Sequence, residues 1–223
     1  MKRRSWQKYL LIGLIAELGL LFLFLGSGPG DGPSLDAAHA NSGLTYQGGR
    51  IVYPADRQPV LTLPDGRHQT IRSVLNIQRT MRFGDYRWND TNVPNGPVWA
   101  RVDLANQTLS VFRDGHEIGS AVILYGASEK PTPIGTFNVL QKAEEYRSRT
   151  YDADMPFMLR LTADGVALHA SDVQQGYATH GCIGLPPGFA RKLFAQMQVG
   201  DLVAIFPAST RAGSQYGDTP NRQ

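Results

Sequence analysis

From residue 98 onward, apolar and polar positions alternate in short runs broken by turn residues. Val98-Trp99-Ala100-Arg101-Val102-Asp103-Leu104 has the alternation of a half-buried strand. Gln107-Thr108-Leu109-Ser110-Val111-Phe112 follows, then the turn pair Asp114-Gly115, then Ser120-Ala121-Val122-Ile123-Leu124-Tyr125. Residues 134–140, 157–161 and 165–169 predict further strands, and 201–206 closes the set. Only residues 187–197 carry a helical stripe, with Phe189, Leu193 and Met197 four apart. Short strands punctuated by turns predict a mainly β fold, a sandwich or barrel with one packed helix.

The region upstream is less regular. Pro59-Val60-Leu61-Thr62-Leu63 is strand-like and ends in the turn signal Pro64-Asp65-Gly66. Residues 70–81 predict a short helix, with Ile71, Val74, Leu75 and Gln78 on neighbouring turns. Residues 51–97 form a preceding segment with no legible role, and 26–50 a spacer that opens on a Gly/Pro/Ser-rich run. The main domain covers 98–206, and 207–223 is a polar tail.

Residues 1–25 change the picture. Lys2, Arg3, Arg4 and Lys8 precede an apolar stretch, 9–25, whose only charge is Glu17. A basic flank followed by an apolar run is the export pattern. The run is longer than a signal-peptide core (about 7–15 residues) and shorter than a full span (about 20). It reads as an uncleaved signal anchor in the inner membrane, or as a signal peptide with Ala38-His39-Ala40 as a distant small-residue cleavage site. Either reading puts the main domain outside the cytoplasm, in the periplasm or its equivalent.

Composition adds exclusions. Hydrophobic content of 42% and charged content of 18% are ordinary for a globular protein. The net charge is only +3, and no basic run is interleaved with aromatics, so a nucleic-acid partner is not expected. Cysteine usage is the sharper signal. Cys182 is the only cysteine, and a lone thiol cannot form the intramolecular disulfide that exported proteins favour. A chemical role gains weight; intermolecular pairing and an inert buried thiol stay open.

Cys182 stands in Ala178-Thr179-His180-Gly181-Cys182-Ile183-Gly184-Leu185, with His169 thirteen positions upstream. An imidazole can take a thiol's proton, and backbone N–H groups around His180, Gly181 and Cys182 can hold a tetrahedral oxyanion. Gly181 and Gly184 permit the backbone shapes this requires. A zinc site from His169, His180, Cys182 and Asp172 is the other chemical option, but no CxxC pair supports it. No metal or cofactor is expected.

The run from His169 to Leu185 resembles the signature of the L,D-transpeptidase catalytic domain (YkuD-like), a histidine followed by Ser/Thr-His-Gly-Cys. Supporting pieces stand in order over 98–206: Val102-Asp103 with Gln107-Thr108-Leu109, Pro131-Thr132-Pro133-Ile134-Gly135-Thr136-Phe137, Met155-Pro156-Phe157 and Gly200-Asp201. The resemblance implies an L,D-transpeptidase-like β-sandwich whose helix lies near the active-site loop. It implies a cysteine enzyme acting on peptidoglycan tetrapeptide stems, with Cys182 as nucleophile and His169 as base. The backbone carbonyl of Ala170 would orient His169, and D-alanine would leave. An amine of another stem, or water, would resolve the acyl-enzyme. Transfer, hydrolysis and a non-catalytic wall-binding module therefore remain distinct readings. His180 matches a motif histidine and reads as a loop organiser or substrate contact, with Thr179, Gly181 and Gly184 completing the loop. Two departures stand out: Gly184 replaces the Arg or Asn of many relatives, and the interval from His169 to Thr179 is short. The 131–137 segment reads as a turn and strand that could line the site, and 141–154 as a solvated loop or a cleft lid.

Overall fold

The computed structural model describes residues 43–127, 129–148 and 152–208. The export segment 1–25, the run 26–34 and most of the polar tail lie outside the described residues. Among the described residues no helix is long and apolar enough to cross a membrane.

The strands β1 (Thr45–Gln47), β2 (Arg50–Val52), β3 (Val60–Thr62), β4 (His68–Thr70), β5 (Ser73–Leu75) and β6 (Tyr86–Trp88) come first. The long strands β7 (Val98–Asp103), β8 (Thr108–Arg113) and β9 (His116–Val122) follow. Next are β10 (Gly135–Asn138), β11 (Gln141–Ala143), β12 (Arg147–Ser148), β13 (Ala153–Asp154), β14 (Met158–Arg160), β15 (Ala167–Ala170) and β16 (Ile183–Leu185). The helix Pro187–Gln196 and β17 (Leu202–Phe206) complete the order.

Period-two alternation sorts the side chains of the central strands onto two faces. Ala100 and Val102 of β7, Leu109 and Val111 of β8, and Val203 and Ile205 of β17 enter the main core. Their neighbours Trp99, Phe112, Leu202 and Ala204 face the other way, into a second cluster that Leu63 and Ile71, flanking the β3–β4 hairpin, help to close. Trp99 and Phe112 are register partners and stack with ring centroids 4.5 Å apart. The large sheet runs β1-β2-β5-β9-β8-β7-β17-β10, with β6 also on β9.

Strand β17 joins β7 in parallel, so the chain between them must cross over. That crossover carries the second sheet, β11-β14-β15-β16, and the helix. Leu159, Leu168, Ile183 and Leu185 from this layer meet Phe189, Leu193 and Met197 in the main core. The helix begins with Pro187 at its first position, where no backbone N–H is needed. The fold is thus mainly β: two larger packed sheets, two short hairpins, a 3-10 turn at Ala55–Arg57 and one α-helix among the described residues.

Three local expectations are corrected. Residues 70–81 hold no helix: β5 pairs with β2, the Ile71 N–H donates to Pro59 O and the Arg72 N–H to Gly115 O. Sheet partners satisfy those backbone groups, which outweighs a weak helical spacing. The strand expected at 120–125 starts earlier and ends at Val122, leaving Leu124 to bridge Gly184. The stretch read as loop before the helix contains β16.

The N-terminal strands are tied to this sheet by a buried polar cluster. Glu117 accepts from the Leu75 N–H at 2.8 Å, while the Arg50 guanidinium donates to the backbone carbonyls of Glu117 and Asn89. Burial pushes the Glu117 carboxyl up from its ordinary value of 4.5, against the hydrogen bonds of Ser110 and Leu75 and the charges of Arg101 and Arg50. A raised folded-state pKa favours folding below the unfolded value and withdraws that advantage as pH rises through the folded one. Glu117→Gln, which keeps an acceptor for Leu75, is therefore expected to remove this alkaline-going loss. Glu117→Leu should cost about 1–3 kcal/mol by stranding the N–H. Chemical denaturation of both variants from pH 5 to 8 checks the pair.

Candidate active site

Cys182 and His169 fall on one face of the second sheet because β15 and β16 run in parallel. The register pairs Leu168 with Ile183, His169 with Gly184, and Ala170 with Leu185. Leu168, Ala170, Ile183 and Leu185 all enter the core, so the alternate positions His169, Gly184 and Cys182 share the opposite face. Cys182 lies two positions before Gly184, a diagonal neighbour of His169 across the ladder. Diagonal neighbours on one face lie within reach of long side chains.

The imidazole is fixed by its own strand. His169 Nδ1 lies 2.8 Å from the carbonyl oxygen of Ala170. A carbonyl only accepts, so Nδ1 carries the proton and Nε2 is the basic nitrogen. Ala170 is held in turn: its N–H donates to Pro156 O at 2.8 Å, and the next residue, Ser171, donates to Leu185 O at 2.8 Å. A carbonyl anchored on both sides thus sets the ring's tautomer and plane, as a carboxylate does in a Ser-His-Asp triad.

The thiol sits in a half-apolar setting. Cys182 packs against Met155, Met158 and Ala167, and its Sγ points to Gly165 O at 3.7 Å. Burial pushes the thiol up from its ordinary value, opposed by the Ala167 backbone N–H and by Lys130, and reinforced by Asp164. Burial likewise pushes His169 down, partly countered by the Ala170 carbonyl. Both shifts disfavour a preformed thiolate–imidazolium pair. Burial thus favours the neutral form of each group.

The loop before Cys182 is held by hydroxyls and close backbone approach. The Thr179 hydroxyl donates to the Cys182 carbonyl. Thr132, 4% exposed, accepts from the Gly126 N–H at 2.8 Å and donates to Gly181 O at 3.0 Å. A Cβ on Gly126 would stand 2.2 Å from Lys130 O and 2.9 Å from Gly181 Cα, so two backbones touch there. Gly126→Ala is expected to displace the loop, cut turnover by roughly 10²-fold and destabilise the fold by about 1–3 kcal/mol. Steady-state kinetics beside a denaturation curve check this.

Four residues around these two fall differently. Gly181 has φ +100, a conformation that L side chains rarely adopt. Gly184 sits opposite His169, and a Cβ there would lie 2.9 Å from Ser171 Cβ and 3.3 Å from Leu124 Cβ. An Arg or Asn would need that wall to move. His180 is exposed, and Asp172 is exposed on the loop after β15. Among the described residues no trio of His, Cys, Asp or Glu side chains is gathered as a metal-binding group.

Along the chain, β16 and Pro186 separate Cys182 from the helix. In the 141–154 region, β11 joins β14, and β12 pairs with β13 as a hairpin braced by Arg147 on Asp152 and Asp154. Glu145, Tyr146, Arg147, Asp154 and Pro156 line an open concavity at its base. Thr132 and Gly126 were not singled out by the residue pattern; only the Pro-Thr-Pro flanks of Thr132 hinted at a fixed turn.

Residues 97–205 match the family model of the L,D-transpeptidase catalytic domain. L,D-transpeptidase 1 of Mycobacterium tuberculosis is 31% identical over 121 residues, which cover 47% of this chain and 48% of that protein. The chain thus spans about half the length of the curated relatives it matches. Among solved structures, an L,D-transpeptidase from Stackebrandtia nassauensis is 26% identical, with a TM-score of 0.47 over 52% of this chain and 60% of that one. One from Mycobacterium smegmatis is 27% identical, with a TM-score of 0.46 over 49% and 58%.

Proposed function

Residues 97–205 belong to the L,D-transpeptidase catalytic domain family, and on that premise we propose that the chain is a peptidoglycan L,D-transpeptidase acting through a Cys182 acyl-enzyme. The observation that carries this reading is the His169–Ala170 hydrogen bond, which leaves Nε2 basic on the face shared with Cys182.

Cys182 Sγ attacks the carbonyl carbon between the third and fourth stem residues as His169 Nε2 takes the thiol proton. A C–S bond forms, and the carbonyl oxygen becomes an oxyanion facing the Cys182 amide. The C–N bond then breaks, and the amine of D-alanine leaves with the proton from His169. An acceptor amine next attacks the thioester, loses its proton to His169 and regenerates the thiol. The acceptor is a second stem in cross-linking, or a protein amine in anchoring to the wall. The basic and apolar pattern of residues 1–25 supports an exported enzyme held at the membrane.

Incubation with disaccharide tetrapeptide, followed by mass analysis of the products, tests the reaction. Cross-linked dimer from the wild type and none from Cys182→Ala is the expected result. Tripeptide without dimer would make the protein a hydrolase, and identical products from both proteins would remove the mechanism.

A further inference from the structure

We infer that Thr132 is a positioning residue that turns the Cys182 amide toward the oxyanion, an assignment that rests on Cys182 being the nucleophile. Gly181 occupies a conformation open to glycine, so its sequence does little to fix which way the Gly181–Cys182 peptide faces. An outside group must choose. The Thr132 hydroxyl does so, because its direction leaves no freedom: the Gly126 N–H can only donate to it, and the Gly181 carbonyl can only accept from it. In a trans peptide the carbonyl and the following N–H point to opposite sides. With Gly181 O drawn onto Thr132, the Cys182 N–H is turned the other way.

The carbonyl on the far side of the nucleophile is held by the Thr179 hydroxyl. Two threonines thereby withdraw both carbonyls that flank Cys182. The competing peptide orientation would aim the Gly181 carbonyl at a developing negative charge, where it repels. Thr132 is buried and its hydroxyl bonds to the peptide that precedes the nucleophile, so its effect belongs to the transition state and not to the thiol.

The test separates acylation from simple thiol reactivity. Thr132→Val keeps the shape and removes the hydroxyl; Thr132→Ser keeps the hydroxyl. Acylation of Cys182 by disaccharide tetrapeptide is expected to fall roughly 10²-fold in the valine variant, while alkylation by iodoacetamide, which builds no oxyanion, stays within about 3-fold. The serine variant should recover acylation to within about 5-fold of wild type. If the valine variant does not fold, Thr132→Ala carries the same expectation. Equal acylation in wild type and variant, a parallel fall in both rates, or failure of both variants to fold would overturn the assignment. Failure of the wild type itself to acylate would instead remove the nucleophile reading beneath it.

Discussion

Cys182→Ala is expected to lower peptide transfer by roughly 10⁴-fold or more, with the folded structure intact. Cys182 is half-exposed and packs at the edge of a small cluster of Met155, Met158 and Ala167, apart from the main core. Loss of one sulfur there removes little buried area, so thermal stability should change by less than about 1 kcal/mol. The large kinetic loss paired with the small stability change distinguishes a nucleophile from an inert buried thiol. Denaturation curves and single-turnover rates on the same preparations read the two quantities side by side.

The second large effect belongs to His169. His169→Ala should cost roughly 10²–10⁴-fold in acylation, the usual contribution of a positioned general base. Its pH dependence carries more information than its size. Burial holds the imidazole below its ordinary 6.5, so the base stays neutral into mildly acidic solution. The acid limb of kcat/KM should therefore lie below pH 6.5. The Cys182 thiol, pushed up by burial, should alkylate faster as pH climbs through and beyond 9, the ordinary thiol value. A flat alkylation profile from mildly acidic to neutral pH would indicate a preformed ion pair and contradict the neutral forms that burial favours.

What the sequence conveyed follows from where its signals are local. The alternation of β7, β8 and β17 is a property of six or so residues each, and the predicted strands lie within a residue or two of the observed ones. The helix stripe Phe189, Leu193, Met197 was legible for the same reason. Strand β16 was hidden because three residues bearing a central glycine have no period to read. Residues 70–81 misled because Ile71, Val74 and Leu75 fit a helix locally, while their backbone partners lie on β2 and near β9.

The site divides in the same way. Cys182, His169 and the Ala170 carbonyl could be named from one short stretch and its resemblance to a family. Thr132 and Gly126 could not, because their role is a contact across 49 residues from Thr132 to Gly181. Only folding brings the Pro131-Thr132-Pro133 turn against the cysteine loop. His169 is anchored on Ala170 and half-buried while His180 is exposed, which is the contrast behind proposing His169 as the base.

The most direct measurement is the mass of the protein itself during turnover. The chain is mixed with disaccharide tetrapeptide, quenched in acid within the first turnovers, and digested for peptide mapping. A disaccharide-tripeptide acyl group on Cys182, formed with release of one D-alanine, is the predicted result. Turnover with Cys182 unmodified, or with the acyl group on another residue, would contradict it.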